Sequence, residues 1–455
     1  MIVELDGRLL RRGDAAYEDA RIDAIWNGRA TTREPAAIVR ARTIEDVQAA
    51  VRYAAREGLR IGIRSGGHSF VATGVRQDAL LIDLSALNSI EVDTATRQAR
   101  VQPGARAGEA NAVLDKHGLV FPVGHYPTVG LGGFLIGGGY GWNSRKLGPG
   151  VLNIIAADIV LADGSLVHAD DESHPDLMWA VRGAGPGFFG VVVCYHLRVH
   201  PAYSQVLRSV MTFPEELRDQ VLAWSYEVLP ETSRSLEIAG KTMWQPGIDR
   251  PVTMLIGVGF VADESADEIY RAFESCPFRD DALSLSERVP SSIADLHAVA
   301  EAGMPKGWRY ALDGVWTSAP VAEVLDAGRS TLASVPNADS FLFWMLWGGY
   351  PTREDACWST QGHLYFSPNS VWTDPADDLR MEQWAHSSLD AFAEIDLGGQ
   401  FSDCNAADRP THGLEPEQAA RLEKLREVYD PDRRFVSYLR PEESTTALGR
   451  HLRSR

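Results

Sequence analysis

Arg64-Ser65-Gly66-Gly67-His68-Ser69 sets an imidazole beside two consecutive glycines at the end of an apolar run, Leu59-Arg60-Ile61-Gly62-Ile63-Arg64. Glycine reaches backbone angles that other residues avoid, so Gly66 and Gly67 let the chain turn several N–H groups toward one anion and lie close to it. His68 stands at the end of that nest. Two readings of it stand side by side: an imidazole that meets a ligand, or a histidine that only completes a turn.

A second stretch, Phe121 to Gly150, holds ten glycines in thirty residues without the repetitiveness of a linker. Such density lets backbone lie against a flat group. No Gly-Lys-Ser/Thr follows, which argues against a phosphate-cradling P-loop, and the run is not the single short G-x-G-x-x-G fingerprint of a dinucleotide fold. For Gly137-Gly138-Gly139 taken alone, ordinary tight turns remain the alternative.

The motifs together resemble the berberine bridge enzyme-like branch of the vanillyl-alcohol oxidase/PCMH flavoprotein superfamily. They are Arg64 to Ser69, Pro127-Thr128-Val129-Gly130-Leu131-Gly132-Gly133 with Gly137-Gly138-Gly139-Tyr140-Gly141, and Arg182-Gly183-Ala184-Gly185-Pro186-Gly187-Phe188-Phe189-Gly190-Val191-Val192. Ala162-Asp163-Gly164 and Tyr429-Asp430-Pro431 extend the likeness over most of the chain, most loosely from about Ala202 to Leu397. The resemblance implies an FAD held by Arg64, Ser65, Gly66, Gly67, His68, Ser69, Val129, Gly130, Gly132, Gly133, Gly137, Gly138, Gly139, Tyr140, Asn143, Gly190, Val192 and Tyr438. It also implies a covalent bond from the flavin 8α carbon to a ring nitrogen of His68. Such a link raises the flavin's potential and fixes its position. The family's second attachment point, a cysteine two residues after the glycine that is Gly124 here, is Tyr126 in this chain. Cys194, Cys276, Cys357 and Cys404 all lie far from it in sequence, so a single histidyl linkage is expected, with Tyr126 or His125 shaping the wall around the benzene ring.

The implied chemistry is removal of hydride from a C–H next to oxygen or nitrogen of a small organic molecule: an alcohol, sugar, amine or aromatic secondary metabolite. Where many relatives carry Tyr-x-Asn-Tyr near Gly398, this chain has Gln400-Phe401-Ser402-Asp403-Cys404-Asn405, which puts Asp403 at the base position. A half-buried carboxylate with its pKa raised toward neutrality suits a proton acceptor, whereas an Asp capping a turn beside Ser402 and Asn405 is the competing reading. His363, Tyr365, Tyr126 and Tyr438 are further candidates, and the family's frequent His-Arg is Thr360-Gln361 here. Val129 occupies the place where valine accompanies oxidase behaviour and leucine blocks oxygen, so O2 is the expected acceptor and peroxide the product. A dehydrogenase with another acceptor, or a non-catalytic flavin-binding protein, would share the glycine motifs.

Around these residues, Pro35 to Ala55 reads as a short strand, the capping pattern Thr43-Ile44-Glu45-Asp46 and an amphipathic helix. Ile154-Ile155-Ala156-Ala157-Asp158-Ile159-Val160-Leu161 ends in the hairpin signal Asp163-Gly164. From about Tyr203, strands such as Val252 to Phe260 and Phe341 to Trp347 alternate with helices at Pro214 to Val228 and Asp263 to Ser275. About a third of the strand aromatics Trp344, Trp347, Tyr350, Trp358, Tyr365, Phe366 and Trp372 are expected to face the flavin. A last helix carries Ala419, Leu422, Leu425 and Val428. The fold class expected is α+β: a PCMH-type FAD-binding domain of two α/β subdomains (1–202), an inserted antiparallel-sheet substrate domain backed by helices (203–409), and a C-terminal segment (410–455) returning to the FAD domain.

A chain of 455 residues has room for two cores, and its net charge of −18 disfavours nucleic acid and anionic membranes as partners. No run has the length of a membrane span, and Met1-Ile2-Val3-Glu4-Leu5-Asp6 lacks the features of a secretion signal, so a cytoplasmic location is expected. Four cysteines without CxxC spacing suit free thiols in a reducing compartment. No metal site is expected: the twelve histidines are dispersed, and His196 and His200 in one extended run stand roughly 13 Å apart. Oligomeric state is not encoded in any motif of the chain.

Overall fold

The computed structural model describes Leu5, residues 8–401 and residues 403–454. The start of the chain, Leu5 apart, and Ser402 lie outside the described residues. Strands β1 (Leu9–Arg11), β2 (Ala37–Arg40), β3 (Ile61–Arg64) and β4 (Leu80–Asp83) form a sheet in the order β1-β2-β4-β3, with β2 and β3 both parallel to β4. Parallel neighbours need a crossover, and the helix Ile44–Glu57 supplies it between β2 and β3. Thr43 and Asp46 cap its start reciprocally and Gly58, in the left-handed region at φ 66°, ends it.

The second sheet is antiparallel, in the order β5-β6-β10-β8-β9, from β5 (Ile90–Asp93), β6 (Gln98–Val101), β8 (Ile154–Val160), β9 (Leu166–Ala169) and β10 (Val191–Arg198). The Asp163-Gly164 turn joins β8 to β9, with Gly164 at φ 82°. A short pair, β7 (Leu119–Val120) and β11 (His200–Pro201), lies beside it. Between β7 and β8 the glycine-rich stretch folds into the short helix Leu131–Ile136 and tight turns.

Eight strands build the third sheet: β12 (Gln205–Phe213), β13 (Leu236–Met243), β14 (Val252–Val261), β15 (Ser284–Ser291), β16 (Arg309–Leu312), β17 (Val315–Thr317), β18 (Phe341–Leu346) and β19 (Leu364–Trp372). Every pairing is antiparallel, in the order β15-β12-β14-β13-β18-β19-β16 with β17 also on β19. One face packs on the helices Arg218–Val228, Ala266–Glu274 and Val321–Leu332 through a core that includes Leu222, Tyr270, Phe273, Val324, Trp344 and Phe366. The other face turns toward the glycine loops.

After this sheet the chain returns to the first one. The helix Pro416–Tyr429 leads into an extended segment whose Phe435 bridges Ile61, with Ile61 N–H donating to Arg434 O at 2.7 Å and Val436 N–H to Ile61 O at 2.9 Å. That helix buries Leu422 and Arg426, while Ala419 and Val428 are exposed, so its inward stripe runs 422-425-426-429 rather than along the heptad-like set expected. Among the described residues no helix is long and apolar enough to cross a membrane. The four cysteines are buried and free.

Candidate active site

A cavity of about 450 Å³ lies where the glycine loops meet the third sheet. Its floor comes from the turn after β3, from 124–140 and from 185–192; Leu312 on β16, Met304, Gln400, Phe401, Asp403 and Phe435-Val436 complete it. The loops meet backbone to backbone. A Cβ on Gly66 would stand 2.3 Å from Gly130 N, and one on Gly130 would stand 2.4 Å from Gly66 N, so neither position admits a side chain. Tyr195 of β10 bolts the second loop from below, its hydroxyl donating to Gly132 O at 3.0 Å.

His68 projects from this junction. Its ring stacks on Trp26 at 4.9 Å, with Tyr126 at 5.4 Å on another side, and Trp26 N–H donates to Gly67 O at 3.0 Å. Nε2 pairs with Thr128 Oγ1 at 2.8 Å, whereas Nδ1 has no partner among the described residues. Burial, reinforced by the positive charges of Arg106, Arg64 and Lys306, pushes the imidazole down to about 3, so the ring is neutral across the physiological range.

Residues Ser65 to Phe70 all line the cavity, and none of their six backbone N–H groups has an acceptor among the described residues. Unpaired donors gathered in a turn form an anion site. Arg64 contributes positive potential rather than a free side chain: its guanidinium is held by Asp83 Oδ1 at 2.8 Å and donates to Asp23 O at 2.9 Å. A row of anion-seeking donors, a flat glycine-lined floor and a neutral imidazole with one open nitrogen together fit a dinucleotide flavin. The cavity walls are otherwise apolar, from Trp26, Phe70, Tyr126, Phe134, Tyr140, Phe188 and Phe401.

Asp403 also lines the cavity and accepts from Tyr365 Oη at 3.0 Å on Oδ2. Burial and the neighbouring Asp403 charge drive the Tyr365 phenol well above its ordinary range, so it stays protonated and donates. Gly314 makes room for that phenol; a Cβ there would meet Tyr365 Oη at 2.2 Å. The loop carrying Asp403 is fastened by Arg409, whose guanidinium spans Asp313 at 2.7 and 2.8 Å and reaches Asp396 at 3.0 Å. His125 lines the cavity near Glu237 of β13, at 3.7 Å.

Several expected residues sit elsewhere. Gly138, Asn143 and Tyr438 do not line the cavity. Gly138 faces Tyr140 and Trp358, Asn143 Nδ2 donates to Tyr203 at 2.9 Å, and Tyr438 stacks on Phe401 while donating to Ala184 O at 3.0 Å. His363 points away, toward the helix Arg218–Val228, with Nε2 3.1 Å from Tyr226 O. Tyr365 stands behind Asp403 rather than on the cavity surface, and Tyr126 lies beside His68, donating to Met304 O at 3.0 Å. None of Trp344, Trp347, Tyr350, Trp358, Tyr365, Phe366 and Trp372 reaches the cavity. β19 is buried along its whole length: helices cover one face, and Trp316 and Tyr140 intervene on the other. Gln361 braces the turn after β18, accepting from Trp347 Nε1 at 2.9 Å and Tyr350 N–H at 2.7 Å. Sequence reasoning missed Trp26, Phe70, Gln400, Phe401 and Phe435, none of which lies in a glycine motif.

The FAD binding domain family matches residues 35–170. The FAD-linked oxidoreductase janO of Penicillium janthinellum is 31% identical over 421 residues, 90% of this chain and 92% of that protein. The (R)-6-hydroxynicotine oxidase of Paenarthrobacter nicotinovorans is 36% identical over 206 residues, 44% of each chain. Among solved structures, 6-hydroxy-D-nicotine oxidase from Arthrobacter nicotinovorans superposes with a TM-score of 0.83 at 25% identity over 95% of this chain and 96% of its own. BBE-like 1 of Physcomitrella patens gives 0.81 at 18% identity over 98% of each chain, a likeness of fold. With its glycine floor, its open imidazole and a full-length relative of this kind, the chain belongs to the berberine bridge enzyme-like FAD-linked oxidoreductases of the vanillyl-alcohol oxidase/PCMH superfamily.

Proposed function

We propose that this enzyme is an oxidase with FAD bound covalently through His68 alone, removing hydride from a C–H beside oxygen or nitrogen of a small organic substrate and passing the electrons to O2 to give hydrogen peroxide. The observation that carries the reading is one cavity lined both by the His68 imidazole with its donor-bearing turn and by the Tyr365-supported Asp403 carboxylate. FAD, once bound, supplies the hydride acceptor. His68 offers Nδ1 as the attachment atom, because Nε2 is engaged by Thr128 and the ring is uncharged. Ser65 to Phe70 hold the pyrophosphate through their N–H groups.

Asp403 takes the proton of the substrate O–H or N–H as the adjacent C–H gives up its hydride, and Tyr365 fixes the carboxylate's direction. The apolar rings of Tyr126, Phe134 and Tyr140 exclude water and favour a flat or largely apolar substrate. Val129, on the cavity wall, leaves O2 an approach that a longer side chain would close. In this reading residues 1–202 and 410–455 hold the flavin, 203–409 present the substrate, and the free, buried cysteines suit the cytoplasm.

The test is a substrate screen on purified protein that follows bleaching of the flavin without oxygen and peroxide release with it. Bleaching with prompt peroxide release supports an oxidase. Bleaching with slow recovery in air identifies a dehydrogenase that uses another acceptor.

A further inference from the structure

On the second sheet, away from the cavity, the pairing of three strands gathers four side chains of metal-ligand type. Asp158 of β8 stands opposite Cys194 of β10 on one side and His168 of β9 on the other. His196 is two residues along β10 from Cys194. One carboxylate serves both imidazoles: Asp158 Oδ1 is 2.6 Å from His168 Nδ1, and Oδ2 is 3.1 Å from His196 Nε2. The Asp158 carboxylate, Cys194 Sγ and the His196 ring nitrogen lie within 4.8 Å of one another. The two imidazole rings are 5.2 Å apart, edge to face.

We propose that Asp158, His168, Cys194 and His196 form a binding site for one divalent ion of the zinc type. Bonds of the lengths zinc makes to oxygen, nitrogen and sulfur, set at tetrahedral angles, put ligand atoms roughly 3.3–3.8 Å apart. The two Asp158–imidazole contacts are shorter than that range and the Asp158, Cys194 and His196 atoms lie within 4.8 Å of one another, so the carboxylate opens by a fraction of an ångström from each ring, and the half-exposed His168 ring turns inward to complete the set. One thiolate, two imidazoles and one carboxylate are a borderline-soft set that selects zinc over magnesium or calcium. Access is from the His168 side, since its side chain is 49% exposed while Asp158 and His196 are each about four-fifths covered. Behind His168, Asp170 places a carboxylate 3.7 Å from Nε2, where a ligating imidazole commonly has one to orient it. Arg100, opposite His196, is paired with Glu91 at 3.3 Å and also reaches the Cys194 thiol, whose loss of a proton it favours. The ion would tie β8, β9 and β10 together, independently of the flavin chemistry.

The experiment is titration of the untagged, flavin-loaded protein with Co²⁺, read in visible bands beyond the flavin absorption, followed by displacement with Zn²⁺. Wild type is expected to take up one equivalent with the spectrum of a tetrahedral thiolate site and to melt at a higher temperature with Zn²⁺ than with chelator. His168→Gln and His196→Gln should each weaken Zn²⁺ uptake at least tenfold, and Cys194→Ser should abolish the thiolate band. His168 is surface-facing, so its variant keeps the fold, and an unchanged flavin spectrum verifies this. Absence of saturable one-to-one uptake by wild type, or uptake undiminished in the His168 and His196 variants, overturns the proposal.

Discussion

At the scale of single residues, the proposed function divides the work between His68 and Asp403, and each can be tested apart from the other. An ordinary histidine loses its neutral form as pH falls through about 6.5. His68 does not take up a proton until about 3, because burial and three nearby cations oppose the charge. An attachment step that needs the neutral ring should therefore run at nearly constant rate from about pH 8 to about pH 5, where an unperturbed histidine would have lost about 30-fold. Acid-stable flavin fluorescence on denatured protein, followed after adding FAD to apoprotein, measures this; a decline centred near the ordinary value would refute it. His68→Ala should leave the denatured polypeptide colourless. The sign for stability follows from the same shift: below the ordinary value the unfolded chain binds a proton that the folded apoprotein refuses, so apoprotein stability is lost from that point down toward about 3. Asp403→Asn removes the proposed proton acceptor and should slow anaerobic flavin reduction by about 10²–10⁴ with flavin content unchanged. Equal reduction rates in the two proteins would leave Asp403 as a turn residue only.

At the scale of elements, what holds the Asp403 loop is the buried ion pair of Arg409 with Asp313. Arg409→Leu strands the Asp313 carboxylate, which is 4% exposed, and should cost about 3–5 kcal/mol in chemical unfolding. Asp313→Asn in the same background should restore part of that loss. Gly314→Ala tests the neighbouring contact: it drives Tyr365 off Asp403 and should lower the reduction rate while the flavin spectrum persists. Elements of this kind were unevenly legible in the sequence. The Thr43–Asp46 capping box, the Asp163-Gly164 hairpin and the glycine loops declare themselves because their signals are local, within a few residues. The aromatic strands do not: alternation separates two faces of a sheet, but in β19 both faces are buried, one under helices and one under Trp316 and Tyr140. The cavity aromatics come instead from loops, and Trp26 reaches His68 from 42 positions away with no periodic signal. The His-Asp-His group was hidden for the same reason, since His196 and His168 meet only through Asp158 on the strand between them, whereas the His196–His200 spacing led nowhere.

At the scale of the whole molecule, the cavity exists only while the third sheet is held over the glycine loops, and a few polar contacts set that distance. Asn27, 3% exposed, exchanges two hydrogen bonds with Tyr310 of β16, Nδ2 to O at 2.9 Å and N–H to Oδ1 at 3.1 Å, and also donates to Phe70 O at 3.0 Å. One side chain thereby joins the wall beside His68 to the edge of the third sheet. Arg145 does the same at the far side, donating to Trp347 O at 3.3 Å and also reaching Leu236 O. If these contacts set the width of the site, Asn27→Leu removes a partner from four backbone groups, Phe70 O, Tyr310 O, Tyr310 N–H and Arg29 N–H, each worth about 1–3 kcal/mol when left unpaired and buried. The variant should unfold at lower denaturant and expose the flavin, raising the rate at which bound flavin is quenched by iodide, while the proposed acid-stable bond at His68 should survive. Oxygen reactivity belongs to this scale as well, because it depends on a passage rather than a group. Val129→Leu narrows the wall next to Gly130 without touching His68 or Asp403, so anaerobic reduction should proceed at the wild-type rate and reoxidation in air should slow by tenfold or more in stopped-flow absorbance. Equal reoxidation rates would mean that O2 enters from another side of the cavity, past Asp403, and would move the search for its path to Gln400 and Leu312.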